Sequence, residues 1–75
     1  MYLLPKREEI MKRRISKKLS QHQLSLLAGL SGCAVSRIES GATRQTHPLR
    51  AKEIARALNC KVGDIFTVPN KEKGA

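Results

Sequence analysis

The sequence predicts a small all-α domain of five short helices. Its 75 residues are enough for a single domain. Successive stretches carry apolar residues at the three- and four-residue spacing of an amphipathic helix, and residues that start or stop helices separate them. No stretch alternates apolar and polar residues over several positions, so we expect no β-sheet. We assign residues 1–68 to this domain and residues 69–75 to a flexible C-terminal tail.

The first helix is predicted over residues 5–17. Pro5 suits its first turn, because a proline there lacks only an N–H group that would have no partner in the helix. A partial apolar stripe along this helix consists of Ile10, Met11, Ile15 and Leu19.

The second helix is predicted to begin at Ser20. Ser20 and Gln23 have the spacing of a capping box, in which each side chain bonds a backbone N–H of the other residue. The helix ends at Gly29, which accepts the left-handed conformation of a helix C-terminus. Its buried face is expected to contain Leu24, Leu27 and Ala28.

Three more helices follow in the same manner. The third is capped by Ser31, ends at Gly41 and buries Val35 and Ile38. The fourth opens at Pro48, ends near Asn59 and has as its apolar set Leu49, Ile54, Ala55 and Leu58. A short last helix covers the core and contains Val62, Ile65 and Phe66.

The charge of the chain limits the classes of partner that it can bind. Fifteen lysines and arginines against six acidic residues give a net charge of +9. Such an excess favours nucleic acid, an acidic protein or an anionic membrane. Aromatic residues make up only 3%, whereas proteins that bind single strands or RNA stack bases on exposed rings. Duplex DNA is therefore the preferred partner.

Residues 20–41 have the organisation of a helix-turn-helix. Two short helices flank the turn Gly29-Leu30-Ser31, and a short glycine-containing turn between helices is typical of this motif. In the motif the second helix enters the major groove while the first crosses the DNA backbone. We therefore expect a recognition helix at about residues 31–40.

The stretch SQHQLSLLAGLSGCAVSRIESG resembles the Cro/phage-repressor type of helix-turn-helix regulator, often called the XRE family. The resemblance extends over about residues 10–66, and the later ARALNCKVGDIF is similar to the end of the family's domain. It implies a five-helix, lambda-repressor-like fold. It also implies a transcriptional regulator that binds double-stranded DNA in a sequence-specific way, as a homodimer on a two-fold operator.

Several residues match family positions with known roles. Gln21 matches a glutamine that contacts a DNA phosphate, and Ser20 is a helix cap that can also donate to phosphate. Arg14 and Glu39 match positions that form an ion pair in some relatives. In the loop after the recognition helix, relatives contact the sugar–phosphate backbone at the positions of Ser40, Thr43, Arg44 and Gln45.

The recognition helix departs from the usual pattern of the family. Many relatives have large polar residues where this chain has Gly32 and Cys33. Arg37 is then the main candidate for reading a base, by a bidentate bond to guanine. Ser36 is expected to bond a base or phosphate, Cys33 to touch a thymine methyl, and Gly32 to permit close approach of the backbone. DNA shape should therefore carry a larger share of the specificity.

Other classes of function fit the sequence less well. We expect no enzyme activity and no cofactor, because a chain this short buries only about 60–65% of its unfolded surface and offers no assembled acid–base set. No zinc-ligand spacing connects the cysteines and histidines, Cys33, Cys60, His22 and His47. The alternative is a small interaction protein, such as an antitoxin that binds a protein partner.

Two further expectations concern location and surface. No signal peptide or membrane helix is recognisable, and two distant cysteines make no disulfide framework. We therefore expect a cytoplasmic protein with no membrane association, which lies at the nucleoid when it is bound to DNA.

Leu26 is expected to pack under residues 2–4 or to serve a partner surface. Dimer contacts are expected near the last helix, at Val62, Phe66 and Val68.

Overall fold

A computed structural model describes residues 2–68 of the chain. The five predicted helices are confirmed, and they are framed by two short strands. In chain order the elements are β1 (Leu4–Pro5), α1 (Arg7–Ser16), α2 (Gln21–Leu27), α3 (Ala34–Ser40), α4 (Pro48–Ala57), α5 (Val62–Ile65) and β2 (Phe66–Thr67). The predicted tail, residues 69–75, lies outside the described residues. Between residues 2 and 68 no helix is long and apolar enough to cross a membrane.

The N-terminal segment forms a small sheet that the sequence analysis did not predict. β1 pairs antiparallel with β2, with Leu4 opposite Thr67 and Pro5 opposite Phe66. Leu3 and Thr46 also exchange two backbone hydrogen bonds of 2.8 Å. The expectation of no sheet was wrong because strands of two residues are too short to show alternation. Pro5 accordingly lies in a strand, and α1 begins after it.

Every helix contributes to the core, α4 with three buried residues and the other helices with one or two. Its fully buried side chains include Ile10, Leu24, Val35, Ile38, Ile54 and Ile65. Phe66 is 2% exposed and belongs to this core, so its expected place in a dimer surface was wrong. The predicted apolar faces were too wide, since several members are exposed: Met11, Ile15, Leu27 and Leu49. Helices this short around a thin core bury only a narrow stripe.

The helix ends explain why the elements lie where they do. The capping box is confirmed: the Gln23 N–H donates to Ser20 Oγ at 3.0 Å, and the Ser20 N–H donates to Gln23 Oε1 at 2.8 Å. Gly29 and Gly41 end their helices with φ values of 75° and 90°. Ser31, in contrast, is not the cap of α3, because the chain first makes a turn in which the Ala34 N–H bonds the Ser31 carbonyl.

The hydroxyl of Ser25 joins the two helices of the motif. This side chain is fully buried between α2 and α3. Its Oγ donates to the Gln21 carbonyl at 2.8 Å and accepts from the Val35 N–H at 3.0 Å. The first N–H groups of a helix have no partner within the helix, so Ser25 supplies one to α3 from outside. The position of α3 therefore depends on a polar contact as well as on apolar packing.

Replacing Ser25 by alanine should destabilise the fold, because the Val35 N–H is left buried without a partner. The expected decrease in the free energy of unfolding is about 1–3 kcal/mol. Urea denaturation of Ser25→Ala measures it, with Ser16→Ala, at an exposed position of α1, as the control. Equal stability of the two variants would contradict the bonding role of the Ser25 hydroxyl.

Candidate nucleic-acid interface

One side of α3 and of the turn before it faces away from the core. Val35 and Ile38 are buried at 0% and 1% exposure and fix the inner side of the helix. The predicted base-reading residues lie on the other side, where Cys33 and Arg37 are exposed while Gly32 and Ser36 are half-buried. These four residues are thus brought together on one outward surface.

Arg14 and Glu39 join α1 to the end of α3. Arg14 Nε lies 2.8 Å from Glu39 Oε2, and Arg14 Nη2 lies 3.1 Å from Glu39 Oε1, which makes the pair bidentate. Arg14 Nη1 also donates to the Leu19 carbonyl at 2.8 Å. The side chains are only 12% and 5% exposed, so solvent screens the pair weakly.

Gln21 belongs to the same network. Its Nε2 donates to Glu39 Oε1 at 2.9 Å, so the side chain predicted to contact a phosphate is held by a carboxylate within the protein. An amide nitrogen carries two hydrogens, and this bond uses one of them. The second hydrogen of Gln21 Nε2 makes no hydrogen bond within the described residues, so it is available to a further acceptor. The network therefore orients Gln21 at the start of α2.

Burial of Glu39 determines the charge of the interface. Glu39 is the single acidic residue between positions 20 and 52 of the sequence. Because its carboxylate is covered and neutralised by Arg14, the outward side of α3 presents no negative charge of its own. Arg37 and Arg44 are both exposed, so positive charge dominates this surface.

The loop after α3 borders a cationic cavity of about 390 Å³. Two arginines line it, Arg44 from the loop and Arg7 from the first turn of α1, together with Ser40 and Thr43. Arg7 lies close to the C-terminus of α3, since a Cβ added to Gly41 would be 2.6 Å from Arg7 Nη1. Sequence reasoning missed Arg7, because only the folded chain brings the start of α1 to the end of α3.

The other residues predicted to contact a DNA phosphate differ in whether their polar groups already make hydrogen bonds within the protein. Gln45 is exposed. The Ser20 hydroxyl oxygen accepts the N-cap bond of α2, which leaves its proton for donation. Ser40 Oγ donates to the Arg37 carbonyl at 3.2 Å and accepts from the Ala42 N–H at 3.4 Å. Ser40 must therefore exchange a local bond if it is to donate to a phosphate.

Cysteine and histidine side chains supply the sulfur and nitrogen ligands that a zinc site would need. In the part of the chain that the structure describes, no three His, Cys, Asp or Glu side chains are grouped to hold a metal ion. His47 caps α4, with its Nδ1 accepting from the Leu49 N–H at 3.1 Å. Cys33 is exposed and Cys60 is half-buried, and both are free thiols. Burial raises the pKa of the Cys60 thiol, which lowers its thiolate fraction at neutral pH.

Comparisons with known proteins match the helix-turn-helix organisation of the chain. A family model described as helix-turn-helix matches residues 10–65, which is most of the chain. This range contains most of α1 and all of α2 to α5, including the Arg14–Glu39 pair and the whole outward surface of α3.

Two solved structures are similar over most of their length. The restriction-modification controller protein C.AhdI from Aeromonas hydrophila is 26% identical, with a TM-score of 0.71, over 77% of this chain and 86% of that one. The P22 c2 repressor protein, solved in complex with synthetic operator 9T, is 28% identical, with a TM-score of 0.68, over 75% of this chain and 83% of that one.

Removing Arg14 should be far more destabilising than removing an exposed arginine. Arg14→Met leaves the Glu39 carboxylate buried without its cation, which is expected to lower the free energy of unfolding by about 3–5 kcal/mol. Arg56 is the matched control, because its pair with Glu53 is short, at 2.7 Å, but exposed. Arg56→Met should cost at most about 1 kcal/mol.

The double variant Arg14→Met/Glu39→Met separates charge burial from packing. It should be more stable than Arg14→Met alone, because no unpaired charge remains in the interior. The measurement is urea denaturation of four proteins: the wild type, Arg14→Met, Arg56→Met and the double variant. A double variant no more stable than Arg14→Met would show that the arginine acts through packing and not through Glu39.

Proposed function

The chain belongs to the Cro/phage-repressor type of helix-turn-helix family, whose members are DNA-binding transcriptional regulators, and we propose that it binds a two-fold duplex operator as a homodimer. α3 enters the major groove in this proposal. The observation that carries it is the outward side of α3, which exposes Cys33 and Arg37 while the Glu39 carboxylate is buried in its pair with Arg14. The protein acts by binding alone, without enzyme chemistry or a cofactor, and works in the cytoplasm at the nucleoid.

Arg37 is the main base-reading residue in this proposal. It is exposed on α3, and a guanidinium can donate two parallel bonds to O6 and N7 of guanine. Ser36 is half-buried beside it and offers one hydroxyl, while the Cys33 thiol can contact a thymine methyl. Gly32 adds no side chain of its own. With a single strong donor to the bases, DNA shape and deformability contribute much of the specificity.

Backbone phosphates bind at two places beside this surface. One is the loop after α3, where Arg44 and Arg7 line a cavity with Ser40 and Thr43, and where Gln45 is exposed. The other is the start of α2, where Ser20 and Gln21 keep donors for a phosphate. Contacts of this kind fix the orientation of the protein on the duplex without reading its sequence.

The homodimer and the two-fold operator are supported by the family. Because each α3 reads one half-site, a symmetric dimer places two copies of α3 one helical turn apart on the same face of the duplex. The P22 c2 repressor, one of the similar proteins, is bound to an operator in its crystal structure. Residues 1–68 act as the DNA-binding domain in this proposal, and residues 69–75 do not belong to that domain.

A small interaction protein is the second candidate, and an apolar surface on α2 favours it. Leu26 and Leu27 are 55% and 54% exposed, so the expectation that Leu26 packs under residues 2–4 was wrong. Together with Leu19 and Gln23 they border a cavity of about 320 Å³. A neighbouring gene for a small toxin, and a complex with its product that Leu26→Asp breaks, would establish this role.

Selection of bound sites from random duplexes tests the main proposal. We expect the selected sites to be two-fold symmetric, with half-sites one helical turn apart. In a salt titration the logarithm of the binding constant should fall with the logarithm of the salt concentration, with a slope of about −0.9 for each neutralised phosphate. Failure to bind any duplex at low ionic strength would refute the proposal.

Arg37→Ala and Arg44→Ala should lose affinity in different ways. Arg37→Ala should relax the preference at one base pair of each half-site, by about 1–3 kcal/mol. Arg44→Ala should weaken all sequences equally and reduce the salt slope by about 1, because it removes a phosphate contact. Binding titrations against the selected site and its single-base variants distinguish these results. Identical behaviour of the two variants would contradict the assignment of Arg37 to base recognition and of Arg44 to phosphate binding.

A further inference from the structure

Gly32 differs from the two glycines that end helices. Its φ lies outside the left-handed region, so its backbone conformation is open to other residues, whereas Gly29 and Gly41 have positive φ. The constraint at this position is instead a neighbouring ring, which would have to shift to admit a Cβ. A Cβ added to Gly32 would be 2.6 Å from His22 Cε1 and 2.7 Å from His22 Nδ1.

The His22 ring therefore occupies the space into which a side chain at position 32 would extend. His22 belongs to the first turn of α2, and the packing of α2 on α3 brings its imidazole to the turn that precedes α3. The ring is not buried there, because His22 is an exposed residue. Its Nε2 lies 3.8 Å from the same Cβ position, farther from it than Cε1 and Nδ1 are.

We propose that His22 is a base-reading residue, which α2 supplies to the recognition surface in place of the side chain missing at Gly32. The inference rests on the proposed function, because it requires the outward side of α3 to face the major groove. An imidazole has a ring nitrogen that donates and, when neutral, one that accepts, so it can bond a base edge in that groove. The recognition surface then has two large polar side chains that reach the bases, Arg37 and His22.

A double-mutant cycle tests the pairing of His22 with Gly32. His22→Ala should reduce discrimination at one base pair of each half-site about fivefold, the lower end of what one specific contact contributes. That base pair should differ from the one affected by Arg37→Ala. Gly32→Ala should give the same loss, because the new methyl group displaces the ring. The double variant His22→Ala/Gly32→Ala should lose no more than either single variant.

Two matched controls accompany the cycle. Gly63→Ala is the glycine control, because nothing lies within 4 Å of an added Cβ there and its φ is not left-handed. Leu49→Ala is a truncation at an exposed position of α4. Both should select the wild-type site with unchanged discrimination. Thermal melting of every variant checks that each is folded at the temperature of the binding measurement.

The outcomes of the cycle separate this inference from the proposed function. If wild-type protein selects a symmetric site and His22→Ala selects it with unchanged discrimination, the inference is overturned and the proposed function stands. A loss that is equal for all sequences also overturns it, because His22 then contacts only the DNA backbone. Additive losses in the double variant overturn the pairing with Gly32. If wild-type protein binds no duplex, the proposed function fails and this inference fails with it.

Discussion

The buried ion pair between Arg14 and Glu39 determines the charge that α3 presents to a partner. A helix that approaches a polyanion cannot expose a carboxylate without repulsion, yet Glu39 lies at the end of this helix. The bidentate bonds to Arg14 turn that carboxylate inward and tie α3 to α1. The same carboxylate accepts from Gln21, which orients a side chain at the start of α2. One buried charge thus organises three helices and leaves the outer surface cationic.

Much of the fold could be predicted because its determinants are local in the chain. The capping box of Ser20 and Gln23, the left-handed Gly41 and the proline that opens α4 act within one turn of their own helix. The strand pairing of β1 could not be predicted in this way, since its partner β2 lies near the other end of the domain. Two-residue strands carry no periodic pattern that would indicate it.

In the candidate site, too, features fixed by nearby residues could be predicted, and features that join distant segments could not. The outward position of Arg37 follows from the buried spacing of Val35 and Ile38, which is visible in the sequence. The contacts made by Arg7 at Gly41 arise only when distant segments meet, so no spacing rule finds them. The composition of α3 is nevertheless informative, because its outward side has few large polar side chains. In the proposed function, neighbouring elements therefore supply further contacts to DNA. In that proposal, specificity comes from several elements and from the shape of the duplex.

Protection of Cys33 by DNA tests the central claim most directly, which is that the outward side of α3 lies in the major groove. The chain has two cysteines, and the exposed Cys33 lies on this surface while Cys60 is half-buried elsewhere, with a raised pKa. The rate of alkylation of each thiol is measured by mass spectrometry with and without the selected duplex. The account predicts that saturating duplex slows alkylation of Cys33 at least several-fold and leaves that of Cys60 unchanged. Equal alkylation of Cys33 in free and DNA-bound protein would contradict it.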